Sequence, residues 1–209
     1  MKTVDIYKLG DTAFASLLDD MLSGDAANAG APYVFSAEAR TQLETDSAAW
    51  KSILIRVNSA DSSRDEAKQT RDDSARTFRA AVRPAREWVK GAFEHGDQRP
   101  GEYGLAAMPP RSLNDMLDYG RTLVHQNTQE PPLDPALPEW LLTSIQEAFA
   151  ALENGIEAYK SARAAHRQAV SDRKSLRDEI EGRVRGLRQH LLIYVGRDDS
   201  VLVGYGLVL

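Results

Sequence analysis

The chain has 209 residues, of which 42% are hydrophobic and 27% charged, with a formal net charge of -5 and no cysteine. Such a length buries a real core without a staple, and the missing cysteine excludes disulfides, thiolate zinc sites and thiol catalysis while suiting a reducing compartment. The acidic balance disfavours a surface that grips nucleic acid or anionic lipid over its whole extent, although a local basic stripe is compatible with it.

In chain order, the opening Met1-Lys2-Thr3-Val4-Asp5-Ile6 carries an acid early and lacks the apolar block of a signal peptide, so a soluble cytoplasmic protein is expected. A short amphipathic helix is predicted from about Thr12 to Ser23, followed by a loop rich in Gly and Ala that ends at Ser36, a suitable N-cap. Apolar residues then recur at steps of three and four: Leu43, Trp50, Leu54 and Val57, resuming at Ala75, Phe78, Val82, Ala85 and Val89. The polar stretch between them, Asn58 to Arg71, is either the turn of a helical hairpin or the middle of one helix. Unbroken phase favours the single helix, roughly 90 Å from about residue 36 to residue 94.

A segment containing His95 and Tyr103-Gly104-Leu105 closes this half, and Met108-Pro109-Pro110 leads into the next. A second short helix is expected from about Leu113 to Gln126. A proline-rich loop from Pro131-Pro132 to Pro138 follows, then a second seam of Ile145, Phe149, Leu152, Ile156, Tyr159, Ile180, Val184, Leu187 and Leu191. Here too a polar middle, Lys160 to Arg173, separates the two parts of the stripe. The apolar run Val201 to Leu209 is too short and too glycine-broken to span a bilayer.

The halves match. Val82 to Leu105 overlies Val184 to Leu207 without a gap, placing Val82, Arg83 and Arg86 on Val184, Arg185 and Arg188, and one Tyr-Gly-Leu on the other. Pro84 falls on Gly186, where each helix is expected to bend or stop. The expected fold is all-α: an internally duplicated, pseudo-two-fold bundle of long antiparallel helices with short capping helices. Copy one is 1-107 and copy two 108-209, packed as one domain. Hairpins would instead give a six-helix bundle.

The close of copy two, from Leu187-Arg188 through Gly196, Asp199-Ser200, Leu202 and Tyr205-Gly206-Leu207, resembles that of uncharacterised bacterial all-helical proteins. In those, a long helix ends in glycine and is followed by Asp-Ser and an aromatic-Gly pair. The resemblance implies a bacterial helical protein and no mechanism. Copy one departs from it, with Arg99-Pro100 near the place of Asp-Ser.

Catalytic motifs are missing. None of His95, His125, His166 and His190 has a glutamate three residues before it, which removes the carboxylate-bridged di-iron bundle. There is no zinc helix, phosphate-binding loop or serine elbow, and Asp72-Asp73 and Asp198-Asp199 read as solvated charge. A site assembled from scattered residues of both copies would leave no motif, and its sign would be a deep polar cleft. No cofactor, no metal and no enzymatic activity are expected.

Two features point to partners. Arg76, Arg79, Arg83, Arg86 and Lys90 form a basic stripe suited to an anion, or more cheaply to ion pairs with Asp178 and Glu181 of copy two. Val201, Leu202, Val203, Tyr205, Leu207 and Leu209 either tuck onto the core or dock on a neighbour. Arg71 and Arg173, in the apolar phase at equivalent places, are expected to be buried against acids or to cross at the pseudo-axis. The leading expectation is a non-enzymatic scaffold or self-assembling subunit whose partner is protein, itself or another chain. An anion-binding helical module is the alternative, with nucleic acid disfavoured as its ligand.

Overall fold

A computed structural model describes residues 4–93, 99–129, 133–196 and 199–207. The protein is 81% helical, and no described residue lies in a strand. In chain order the helices are α1 (Asp11–Ala27), α2 (Ala37–Ala92), α3 (Leu113–Thr128), α4 (Glu139–Val195) and α5 (Asp199–Gly204), with single 3-10 turns at Ile6–Lys8 and Arg99–Gly101. Ser36 caps α2 as expected, its hydroxyl accepting the Ala39 N–H at 3.2 Å.

Both long helices run unbroken, α2 for 56 residues and α4 for 57. Neither polar middle forms a turn. Each lacks glycine and proline, and hydroxyls that would otherwise compete with the backbone bond back along the helix, Thr70 to the Glu66 carbonyl and Ser74 to the Thr70 carbonyl. Pro84 does not end α2. It denies the Ala80 carbonyl its usual N–H partner, but both residues are exposed, so that carbonyl is open to solvent. Gly186 is likewise interior to α4.

The chain gathers into two compact units, one made of residues 1–61 with 165–209 and the other of residues 62–164. In the first, α1 and α5 pack with the early part of α2 and the late part of α4. The two long segments run antiparallel, since Asp46 meets Arg183, Arg56 meets Asp172 and Asp61 meets His166. Phe14, Leu18, Met21, Leu43, Trp50, Ile180, Val184, Leu191 and Tyr205 form the core. Each such side chain contributes roughly 1.5–3 kcal/mol on burial. Phe14 meets Trp50 edge-on at 5.2 Å, and the Trp50 indole N–H donates to the Asp11 carbonyl at 3.1 Å.

In the second unit α3 packs with the late part of α2 and the early part of α4. These segments are again antiparallel, with Arg71 over the Tyr159 ring at 4.3 Å and Phe78 against Phe149 at 5.7 Å. Phe78, Val82, Val89, Tyr103, Leu105, Met116, Leu123, Leu141, Ile145 and Leu152 are its core.

One turn occurs in both units. The Leu105 N–H donates to the Pro100 carbonyl at 3.1 Å and the Gly104 N–H to the Gly101 carbonyl at 3.0 Å. The Leu207 N–H donates to the Leu202 carbonyl at 2.9 Å and the Gly206 N–H to the Val203 carbonyl at 2.9 Å. This is the Schellman arrangement, which requires a left-handed residue. Gly104 (φ 71°) and Gly206 (φ 69°) supply it. In each case the preceding tyrosine and following leucine are swallowed by the core.

Candidate functional site

The C-terminal segment is mostly spoken for by its own unit. Leu202, Tyr205 and Leu207 are buried, Val201 is half-buried and Val203 is exposed, while Leu209 lies outside the described residues. The Leu207 carbonyl accepts the Val4 N–H at 3.1 Å. Gly24 of α1 makes room for α5: a side chain there would meet the Gly204 carbonyl oxygen at 2.5 Å. Beneath it sits Asp25, fully buried, whose carboxylate accepts the Phe35 N–H and the Arg40 Nε–H at 2.7 Å each and faces the Tyr205 hydroxyl at 3.5 Å. Burial, and then the Asp25 charge, push the Tyr205 phenol up to about 12.

The basic stripe is largely consumed locally. Arg79 donates to the Pro110 carbonyl at 2.9 Å, and Arg86 to those of Leu105 at 3.3 Å and Ala106 at 3.1 Å. Arg76 pairs with Asp73, and Lys90 with Glu87 at 3.2 Å. Arg83 alone of the five is exposed with no partner among the described residues. The expected ion pairs with Asp178 and Glu181 do not form, because the register that sets Asp46 on Arg183 and Arg56 on Asp172 places those acids opposite the early part of α2 in the first unit. Glu181 is instead held by Arg177 at 2.6 Å on the next turn of its own helix.

Arg71 and Arg173 are both partly shielded. Arg71 pairs with Asp72 at 2.5 Å, and Arg173 with Asp11 at 2.6 Å. Next to Arg173, Arg177 uses four of its five N–H donors, Nε–H to Glu181, Nη1 to Asp11, and Nη2 to the Ile6 and Leu9 carbonyls, with its guanidinium carbon 4.7 Å from the Phe14 ring centre. So heavily bonded a cation ties down the N-terminal segment.

His166 lies half-buried 3.4 Å from Asp61, and His190 packs on the Phe35 and Tyr194 rings with Nε2 buried and unbonded. His95 and Asp198 lie outside the described residues. Among the described residues no group of three or more His, Asp or Glu is placed to hold a metal ion, and no helix is long and apolar enough to cross a membrane.

Several large apolar side chains are also exposed. Ile193 is 74% exposed, Ile55 70%, Trp140 67% and Tyr194 56%. The sequence carried a signal for three of them, since Ile55, Trp140 and Ile193 fall out of phase with the core seam beside Leu54, Leu141 and Leu191, whereas Tyr194 keeps the seam's step from Leu191. Ile193 lies with Arg185, Arg188 and Leu192 around a shallow hollow, and Trp140 lies with Glu139, Thr143, Ser144 and Glu147 around another. No family model, curated protein or solved structure matches this chain.

Proposed function

We infer that the chain is a non-enzymatic helical scaffold that works by binding protein, either another copy of itself or a second subunit. The supporting observation is the set of large apolar side chains, Ile55, Trp140, Ile193 and Tyr194, exposed on helices whose seams already fill a core. Isolated exposed apolars are ordinary, but bulky ones grouped with charges mark contact surfaces. Its place is the bacterial cytoplasm, a reading supported by the absence of cysteine.

The scaffold is best read as a duplicated unit with approximate two-fold symmetry. The identical Schellman turns at Gly104 and Gly206, with their buried Tyr and Leu, support it. So do the matched burials of Val82 with Val184, Phe78 with Ile180, and Trp50 with Leu152. In this reading each copy is one short helix, one long helix and one Tyr-Gly-Leu close.

Photo-crosslinking in cells from Ile55, Trp140 and Ile193, one position at a time, tests the scaffold reading. A discrete cross-linked protein species from at least one position is expected; none from any of them would overturn it. The alternative, anion binding through the stripe, has little support from side chains already bonded within the unit. Binding to a polyanion that falls with salt and is lost in Arg83→Gln would favour it instead.

A further inference from the structure

The two exposed hollows on α4 differ in charge. Around Ile193 the charged side chains are Arg185 and Arg188, and neither meets a carboxylate side chain among the described residues. Arg185 lies over the Tyr7 ring at 5.1 Å, and Tyr7 is itself 60% exposed, so this patch is basic, apolar and aromatic. Around Trp140 the charged side chains are Glu139 and Glu147, neither paired with a cation among the described residues, beside the hydroxyls of Thr143 and Ser144. One patch belongs to residues of the first unit and the other to residues of the second.

We propose that these patches are the two halves of one head-to-tail contact between copies of this chain, the Arg185–Arg188–Ile193 patch of one molecule seating on the Glu139–Trp140–Glu147 patch of the next. The inference rests on the scaffold reading and names its partner. Charge complementarity carries it. Each patch has two charges of one sign beside one bulky exposed apolar side chain, so that arginine meets glutamate where Ile193 packs against Trp140. A contact between two different patches is heterologous, so it propagates into a chain or closes into a ring rather than stopping at a two-fold dimer. Assembly through such a contact depends on concentration.

The test is sedimentation velocity of the full chain over a concentration series, with circular dichroism to confirm that each variant folds. Wild type is expected to assemble as concentration rises and to weaken as salt goes from about 0.05 to about 0.5 M. Arg185→Glu with Arg188→Glu, or Glu139→Arg with Glu147→Arg, should each weaken assembly roughly tenfold or more. An equimolar mixture of the two variants should assemble again, because each then offers the other a complementary pair. Ile193→Ser and Trp140→Ser should weaken it as well, with helicity unchanged.

A wild-type chain that stays monomeric overturns the proposal. So does assembly that survives the glutamate reversals, which would mark a contact of the basic patch with itself. Binding to phosphatidylglycerol-containing vesicles that the arginine reversals abolish, without self-assembly, would assign the basic patch to a membrane surface and overturn it too. If the purified chain is monomeric while Ile193 cross-links to a different protein in cells, this inference fails and the scaffold reading stands.

Discussion

Replacing Gly24 by alanine separates packing from propensity at one atom. In an exposed helix interior the same change stabilises by about 1 kcal/mol, since alanine loses less backbone freedom on folding. Gly182 is such a position, because a Cβ placed there would have nothing within 4 Å. At Gly24 the new methyl would lie 2.5 Å from the Gly204 carbonyl oxygen and 3.0 Å from Cγ of Tyr205. A backbone carbonyl cannot rotate away as a side chain would, so α5 must move as a body, and overpacking of this sort costs about 1–3 kcal/mol. Offset by the propensity gain, Gly24→Ala should destabilise by about 1 kcal/mol while Gly182→Ala stabilises by about the same amount. Urea unfolding of the two variants beside wild type reads the difference, and faster amide exchange at Tyr205 and Leu207 in Gly24→Ala locates it. Equal stabilisation by both substitutions would refute the seating of α5 on α1.

Alkaline pH should loosen the molecule in a defined window. Tyr205 and Tyr119 are pushed up to about 12, both by burial first. A phenol that holds its proton more tightly when folded than unfolded stabilises fully below its unfolded value near 10, and that stability is lost as pH rises toward about 12. Unfolding midpoints across this range should fall, and less so in Tyr119→Phe. Asp46 is buried and takes two bonds from Arg183, at 2.7 and 2.8 Å, so Asp46→Ala should cost about 3 kcal/mol in urea unfolding. Replacing both partners by apolar residues of similar size should cost much less. Arg86→Gln should lose about 1 kcal/mol through its carbonyl bonds, whereas Arg83→Gln should change stability by less than about 0.5 kcal/mol.

The helices were legible because their evidence is periodic. Leu43 through Val89 and Ile145 through Leu191 recur at helical spacing, and every residue of those stripes that packs inward does so within a unit. The ambiguity over Asn58 to Arg71 came from its many residues of weak helical preference, and partners on the antiparallel segments, His166 for Asp61 and Tyr159 for Arg71, favour helix. Arg79 and Arg86 were legible as a stripe but not in their destination. Their acceptors are backbone carbonyls of Leu105, Ala106 and Pro110, which carry no signal in residue type. Asp25 was illegible for a different reason. Its partners Phe35, Arg40 and Tyr205 lie 10, 15 and 180 residues away, distances that no local pattern encodes.

The division of the long helices also sets an order of events during synthesis. Residues 62–164 contain every segment of their unit, so that unit is complete in sequence once they have left the ribosome. Residues 1–61 emerge first yet must wait for 165–209 before their own core can close. At synthesis rates of about 5–20 residues per second the delay is on the order of 5–20 seconds. Through that interval Phe14, Leu43 and Trp50 lack the Ile180, Val184 and Leu191 side chains that cover them in the finished fold. The earliest residues of the chain are therefore the last to be protected, and it is there that a chaperone or a misfolding event would find its opening.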